Sequence, residues 1–522
     1  MPENGIRVNI IGAGLAGLSA ALTLAEKGIC TALISLQPSE RAQSNLAEGG
    51  INAALNVMGE DDTTAEHCED TMKSGCMLAD ENMVSGLTQA APDIVMQLAA
   101  CGVPFNRIDG HIAERSFGGQ KKKRTAFAKS SSGKMIMTAM TDVARRYEVK
   151  GFIERYPHHC FERIVISEGK CVGVQVRDTY TGENRIFTGP VIMACGGMNG
   201  LFSGKTTGTT ANSGTVAAEL FSQGVRFANL EFVQYHPTTV AIEGKRMLIS
   251  EAARGEGGRL FYKENDKSIY FMEDMFGERG NLMPRDVVSR EMVKTGRQIY
   301  LDMTGISPKI WKNNLSDLRN EIIHYMHIDP AAVPVPVSPG IHYFMGGILV
   351  DRGHHTNISG LYAAGECACA YHGANRLGGN SMLGAIYGGH VAAEESASAL
   401  NKFDSIGFEN TVEKLSYMTE DEKVAELSME NALFTGMSVM RNGTDISSAI
   451  DEVLSLKTKF KSDEGIHRSI LAEAMLRSAL ERRETRGAHV RTDYPETLDD
   501  MRKLTIAELK DDKICISFGN FN

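Results

Sequence analysis

Six residues near the start of the chain restrict its fold more than any others: Gly12-Ala13-Gly14-Leu15-Ala16-Gly17. They follow the apolar run Ile6 to Ile11 and precede a helical stretch, Leu18 to Lys27, that stops at Gly28. In such a strand–turn–helix unit the first glycine makes the turn and the second lets a pyrophosphate approach the backbone. The third lets the helix pack on the strand. The helix start adds free N–H groups and a partial positive charge. The chain is therefore expected to open an α/β fold on a dinucleotide, with Gly12, Gly14, Ala16 and Gly17 against it. The next strand, Thr31 to Ser35, ends in Ser35-Leu36, where such units usually place an acid on the ribose. The ribose grip is left open.

Further glycine loops follow. Glu48-Gly49-Gly50 begins a loop suited to lying against a flat ring, and the buried strand Val191 to Met193 runs into Ala194-Cys195-Gly196-Gly197. The densest loop is Gly365 to Gly389, GECACAYHGANRLGGNSMLGAIYGG. The apolar run before it, Leu361 to Ala364, reads as a buried strand ending at Glu366. His372, Asn375 and Arg376 sit in a glycine frame, and Asn380-Ser381 reads as the N-cap of an apolar helix, Met382 to Ala393. An arginine held among small residues offers a fork for a carboxylate. The residues alone suit a ring beside an anionic substrate, and equally allow a plain glycine loop before a core helix.

The length of 522 residues points to two to four domains, and 42% hydrophobic with 23% charged residues is the balance of a soluble globular protein. A formal charge of −10 gives no electrostatic case for nucleic acid. The four cations Lys121 to Arg124 are accordingly read as a solvated loop. Ten cysteines without CxxC or framework spacing read as reduced thiols of a cytoplasmic protein, with no metal or cluster site of the chain's own. The chain enters a strand at once and has no apolar run of about 18 residues, so neither a signal peptide nor a membrane span is expected.

Helices are expected over 62–75 and 81–101, and a small β-meander around Glu168-Gly169. From Glu231 the texture changes, and the proline-rich Asp329 to Gly340 reads as a returning connection that closes an inserted domain. Beyond Leu400 the pattern is amphipathic helix: Glu409 to Met418, Asp421 to Ala432, Ser447 to Leu456 and His467 to Arg482, then a short tail.

Taken in order, GxGxxG, Glu48-Gly49-Gly50, QYHPT (234–238), SEAARGEGG (250–258), PRDVVSR (284–290), HYFMGG (342–347), HGANRLGGNS (372–381) and ETRGAH (484–489) resemble one family. It is the flavoprotein subunit of fumarate reductase and succinate dehydrogenase, and the likeness runs from Val8 to about Pro495. The resemblance implies a Rossmann-type FAD-binding domain (1–230 and 341–398) interrupted by an α+β capping domain (231–340). A C-terminal helical domain and tail (399–522) follow. It implies FAD contacts at Gly12, Gly14, Ala16, Gly17, Ser35, Glu48, Gly49, Gly50, Ala194, Gly196, Glu366, Asn380, Ser381 and Leu383. The implied substrate clamp is His236, Ser250, His342 and Arg376, with Ser250 keeping the hydroxyl of the family's threonine. Arg285 matches the arginine that delivers or removes the proton, and Glu251 and Arg254 match the relay behind it.

Those residue types fit the implied chemistry, the interconversion of fumarate and succinate. Reducing an activated alkene needs a hydride on one carbon and a proton on the other, with both carboxylates held. Two imidazoles, a hydroxyl and a guanidinium supply donors for four oxygens, and fixing the attack geometry can offset roughly 7–11 kcal/mol of barrier. Arginine is a weak acid, with a pKa above ~12, but a carbanion-like carbon is more basic still. A structural ion pair of Arg285 with Asp286, and satisfied core histidines at 236 and 342, are the plain alternatives.

The departures carry as much information. Gln43 stands where membrane-bound members carry a histidine bonded covalently to FAD, so FAD is expected to be held non-covalently and fumarate reduction to be favoured. Thr215 replaces a usual aspartate, Cys195 a usual threonine, and Gly384-Ala385-Ile386 a bulkier stretch. Electrons must then come from outside, which the resemblance assigns to an iron–sulfur protein subunit, with a possible membrane anchor through further subunits. L-aspartate oxidase, another FAD-dependent enoate reductase and a non-catalytic flavin scaffold are the rival readings. The HGANRLGGNS loop has the fumarate/succinate form rather than the aspartate oxidase form.

Overall fold

A five-stranded parallel sheet forms the centre of the computed structural model, which describes residues 7–400, 403 and 414–521. Its strand order is Leu361–Ala363, Val191–Met193, Val8–Ile11, Thr31–Ser35 and Ile153–Pro157. The inner strands are largely apolar because a parallel sheet is covered on both faces, and Val8, Ile10, Val191, Ile192 and Met193 are fully buried; the edge strand Ile153–Pro157 is more polar and partly exposed. The chain runs from Val8–Ile11 to Thr31–Ser35 and Ile153–Pro157 on one side and later adds Val191–Met193 and Leu361–Ala363 on the other. This reversal of strand order opens a crevice at the carboxyl ends of the central strands. Helices Leu15–Glu26 and Asn380–Ala399 pack together beside it.

Local chemistry explains the first unit. The helix starts at Leu15 rather than Leu18, since Gly14 is extended and serves as its N-cap. Gly12 has φ +117°, and a Cβ there would lie 2.1 Å from the Ala194 carbonyl oxygen, so only glycine lets the turn touch the neighbouring strand. Ile6, the expected first residue of the strand, lies outside the described residues.

Residues 233–344 build a separate six-stranded sheet with its own apolar core, which includes Leu260, Leu301, Trp311 and Val335. The proline-rich stretch is part of it: Val335–Phe344 is a strand, not a connection. Its prolines are tolerated because Pro336 pairs on one side only, with Tyr300, and Pro339 falls where the register with Val233–Ile242 shifts.

Helices Glu420–Gly436, Gly443–Lys457 and Asp463–Glu481 pack on one another near the C-terminus. Of the helix expected over Glu409 to Met418, residues 409–413 lie outside the described residues and 414–418 are not helical. The tail is a hairpin, Leu504–Lys510 and Lys513–Gly519, which pairs with Phe227–Ala228 to complete another five-stranded sheet. Its turn rests on Asp511 and Asp512, both with positive φ.

Arg124 overturns the reading of Lys121 to Arg124 as a solvated loop. The three lysines do lie near solvent and pair with Glu69, Glu66 and Glu60. Arg124, however, has a fully buried side chain between Asp62 at 2.8 Å and Asp70 at 3.0 Å. Removing one partner of so buried an ion pair costs about 3–5 kcal/mol.

Glu366 follows the Leu361–Ala363 strand and accepts the Phe344 N–H at 3.1 Å. Burial pushes its carboxyl from 4.5 up to about 7. Between those values the native protein binds more protons than the unfolded chain, so this group lowers stability as pH rises through the window. Glu366→Gln is therefore expected to raise the melting temperature of the apoprotein over wild type, with the gain growing from about pH 4.5 to 7 and then levelling. Calorimetry across that range checks it, and a pH-independent difference refutes it.

Candidate active site

A cavity of about 1420 Å³ extends from the Gly12–Ala16 turn to His236, Ser250, Arg285, His342 and Arg376. An ordinary small-molecule pocket measures roughly 300–1,000 Å³, so this one has room for a dinucleotide and a second ligand together. Gly12, Gly14, Ala16, Ser35, Glu48, Gly49, Gly50, Ala194, Gly196, Glu366 and Ser381 all line it. These residues fit FAD: a helix start and bare backbone lie where a pyrophosphate would sit, and a glycine loop where a ring would lie. Gly17, Asn380 and Leu383 stand behind the cavity wall instead.

Asn380 corrects the expected N-cap. The helix begins at Asn380 itself, after Gly379, and makes no side-chain cap. The Asn380 amide joins a buried network instead: Oδ1 accepts from Asn52 Nδ2 at 2.7 Å and lies 3.0 Å from His67 Nε2, while Nδ2 donates to Thr71 at 2.9 Å. Asn52 and Gln120 both donate to the Gly378 carbonyl, at 2.7 and 2.9 Å. Gly379 has φ +87°, and a Cβ there would lie 2.0 Å from Asn52 Oδ1. The network thus fixes the double-glycine bend after Arg376.

The two candidate guanidiniums converge. Arg285 Nη1 and Arg376 Nη2 each donate to Gln234 Oε1 at 3.0 Å. The Gln234 amide nitrogen donates in turn to Asn375 Oδ1 at 2.8 Å and the Arg376 carbonyl at 2.9 Å. Gln234 is fully buried. It opens the QYHPT motif, where no local pattern marks its role. Arg285 is backed by Glu251, with Nε at 2.8 Å and Nη2 at 2.7 Å from Oε2. Glu251 Oε1 accepts the Gly118 N–H at 2.7 Å and lies 3.7 Å from Arg254, whose Nη1 donates to the Asn281 carbonyl. Asp286 takes Asn375 Nδ2 at 2.8 Å, so the plain pairing of Arg285 with Asp286 is not what forms.

The imidazoles of His236 and His342 meet edge-on, with ring centroids 5.1 Å apart and planes inclined at 61°. His342 Nδ1 is 2.8 Å from the Thr207 hydroxyl, while His236 Nε2 is buried with no partner among the described residues. Arg376 Nε is buried likewise, and its guanidinium sits 4.3 Å over the Tyr343 ring. Burial holds both histidines well below their ordinary range; Arg285 adds to this at each, and Arg376 at His342. Burial, and then Arg285, push Arg376 down to about 9. Orphaned donors and crowded positive charge both favour an anion here.

Two further residues position the ring end of the cavity. Arg115 donates through Nε to the Gly49 carbonyl at 3.2 Å and through Nη2 to the Glu48 carbonyl at 3.3 Å, stacked 4.2 Å over Phe127. Gln43 Oε1 accepts the Thr209 N–H at 2.6 Å.

Comparison with known proteins places this geometry in context. The family model for an FAD binding domain matches residues 7–382, and the model for the fumarate reductase flavoprotein C-terminal region matches residues 467–520. The succinate dehydrogenase flavoprotein subunit of Bacillus subtilis is 35% identical, covering 94% of this chain and 92% of that protein. The fumarate reductase flavoprotein subunit of Mycobacterium tuberculosis is 31% identical, again covering 94% of this chain and 92% of that protein. A solved structure of E. coli quinol fumarate reductase FrdA matches with a TM-score of 0.90 at 28% identity, over 99% of this chain and 96% of that one. With a matching cofactor-domain model over most of its length and relatives 31–35% identical over 94% of it, this chain belongs to the succinate dehydrogenase/fumarate reductase flavoprotein-subunit family of FAD-dependent oxidoreductases.

Proposed function

We propose that this protein is the catalytic flavoprotein of a fumarate/succinate oxidoreductase, working chiefly as a fumarate reductase. The observation that carries the proposal is the shared hydrogen bond of Arg285 and Arg376 to one Gln234 oxygen, which aims two guanidiniums into the cavity that His236, Ser250 and His342 also line. In this reading His236, Ser250, His342 and Arg376 hold the two carboxylates and polarise the alkene. Bound FAD supplies the hydride, from flavin N5. Arg285 gives a proton to the other alkene carbon, and Glu251 keeps its guanidinium turned toward that carbon through two contacts. Arg254, buried behind Glu251, stands where it can return the proton. The reverse passage carries succinate to fumarate.

Gln43 carries no nucleophile for a flavin bond, and its side-chain oxygen is already engaged by Thr209. FAD is therefore held non-covalently in this reading, and a flavin without that bond favours fumarate reduction. An iron–sulfur protein subunit delivers the electrons, since the cysteine spacing supplies no cluster ligands of the chain's own. Among the described residues no helix is long and apolar enough to cross a membrane. A tie to the cytoplasmic face of a membrane then runs through partner subunits.

Arg285→Ala is expected to lower fumarate-dependent oxidation of reduced viologen by about 10²–10⁴-fold, the range for loss of a positioned proton donor. Arg376→Ala should act mainly through KM. A wild-type rate in Arg285→Ala discards the proton role. The flavin should leave the denatured chain: on a denaturing gel no fluorescent band should travel with the protein. A band that does so overturns non-covalent binding. Potentiometry should place the two-electron flavin couple near or below that of fumarate/succinate, and a couple well above it overturns the preferred direction.

A further inference from the structure

The cavity does not end at the Gly12–Ala16 turn. Its far end, away from Arg285, is lined by Ser35, Phe161, Arg177, Thr215, Tyr417 and Glu464. Sheet register puts these together. Ser35 lies opposite Pro157, so the start of the His159–Ser167 strand stands beside the end of the second parallel strand. Helix Thr215–Ser222 packs on that strand and on helix Asp463–Glu481, which brings Glu464 to the wall.

Glu464 is held with care. Its Oε1 accepts the Thr215 hydroxyl at 3.0 Å and its Oε2 accepts the Met418 N–H at 3.2 Å. The short segment Ser416–Met418 is pinned to the same helix start: Ser416 donates from N and Oγ to Asp463 Oδ2 at 2.9 and 2.7 Å, and Glu464 N–H donates back to the Ser416 carbonyl. Tyr417 is fixed on the other side, where its hydroxyl accepts from Arg177 Nε at 2.8 Å and donates to Glu162, its ring lying 4.3 Å under the Arg177 guanidinium. An ionised carboxylate has about four acceptor positions, and Thr215 and Met418 occupy two. Ser35, meanwhile, leaves the sheet itself without an acid at this end.

We propose that Glu464 holds the adenosine end of bound FAD, so that the C-terminal helical segment supplies the carboxylate that the second strand lacks. A ribose hydroxyl or the adenine amine donates to the remaining positions on Glu464, and Tyr417 walls the same end. This rests on the reading of the cavity as an FAD site, which wild-type binding tests on its own.

Calorimetric titration of the full-length apoprotein with FAD, FMN and ADP decides the matter. Glu464→Ala is expected to weaken FAD and ADP about tenfold, as for one charge-assisted hydrogen bond, and to leave FMN unchanged because FMN has no adenosine. Glu464→Gln keeps an accepting oxygen and should lose about threefold. If Glu464→Ala does not fold, Thr215→Val and Glu464→Gln decide: both should weaken FAD and spare FMN. Wild-type FAD affinity in these variants, or equal weakening of FAD and FMN, overturns the proposal. A wild-type chain that binds FMN and FAD alike, or neither, overturns the dinucleotide reading beneath it.

Discussion

One amide oxygen sets the terms where Arg285 and Arg376 converge in the cavity. Two guanidiniums buried in the same cavity repel each other strongly, since the surroundings screen them far less than water does. Gln234 Oε1 sits between Arg285 and Arg376 and accepts from both, while Glu251 supplies the neighbouring negative charge. In the proposed reading a dicarboxylate neutralises the remaining excess of positive charge, so that binding and electrostatic relief are one event.

The scaffold makes that arrangement stiff. Gln234 and His236 lie on one strand, Val233–Ile242, and His342 and Tyr343 on its antiparallel partner, Val335–Phe344. The pairing is irregular between Gln234 and Tyr235, a kind of break that re-aims side chains near active sites. Arg376 comes from the other body of the fold, in the glycine frame held by Asn52, Gln120 and Asn380. Hydrogen bonds from Gln234 to Asn375 and to the Arg376 carbonyl tie the two bodies together at the cavity itself.

Much of this was legible from residues in order, and the parts that were not share a cause. The dinucleotide turn and the first parallel pair, Val8–Ile11 with Thr31–Ser35, follow from contacts between near neighbours, so Gly12 to Gly17 announced them. Arg285, Arg376, His236 and His342 were identified through motifs and do share one cavity. Asn380 was misread because a capping rule looks a few residues ahead, whereas its partners are His67, Thr71 and Asn52. Arg124 was misread because a charge run hides which member meets Asp62 and Asp70. Gln234 is illegible in the sequence because a neutral amide advertises nothing until its distant partners, Arg285, Asn375 and Arg376, are in place. The closing hairpin could have been found from the alternation in Lys513–Gly519, but its Asp511-Asp512 turn lacks the usual glycine.

That hairpin has a bearing on how the molecule is made. Leu504–Lys510 inserts between its own partner strand and Phe227–Ala228, a segment from the first half of the chain. Its neighbour Glu231, fully buried, likewise awaits its ion pair with Arg482 and its hydrogen bond from Thr505, at 2.6 Å each. On a ribosome these partners emerge long after residues 227–231, so an acid and a sheet edge from the first half of the chain lack these partners while the intervening residues are made. Closure of this part of the fold therefore waits for Arg482 and the Leu504–Gly519 hairpin, and contacts so distant in sequence are the slow ones to close.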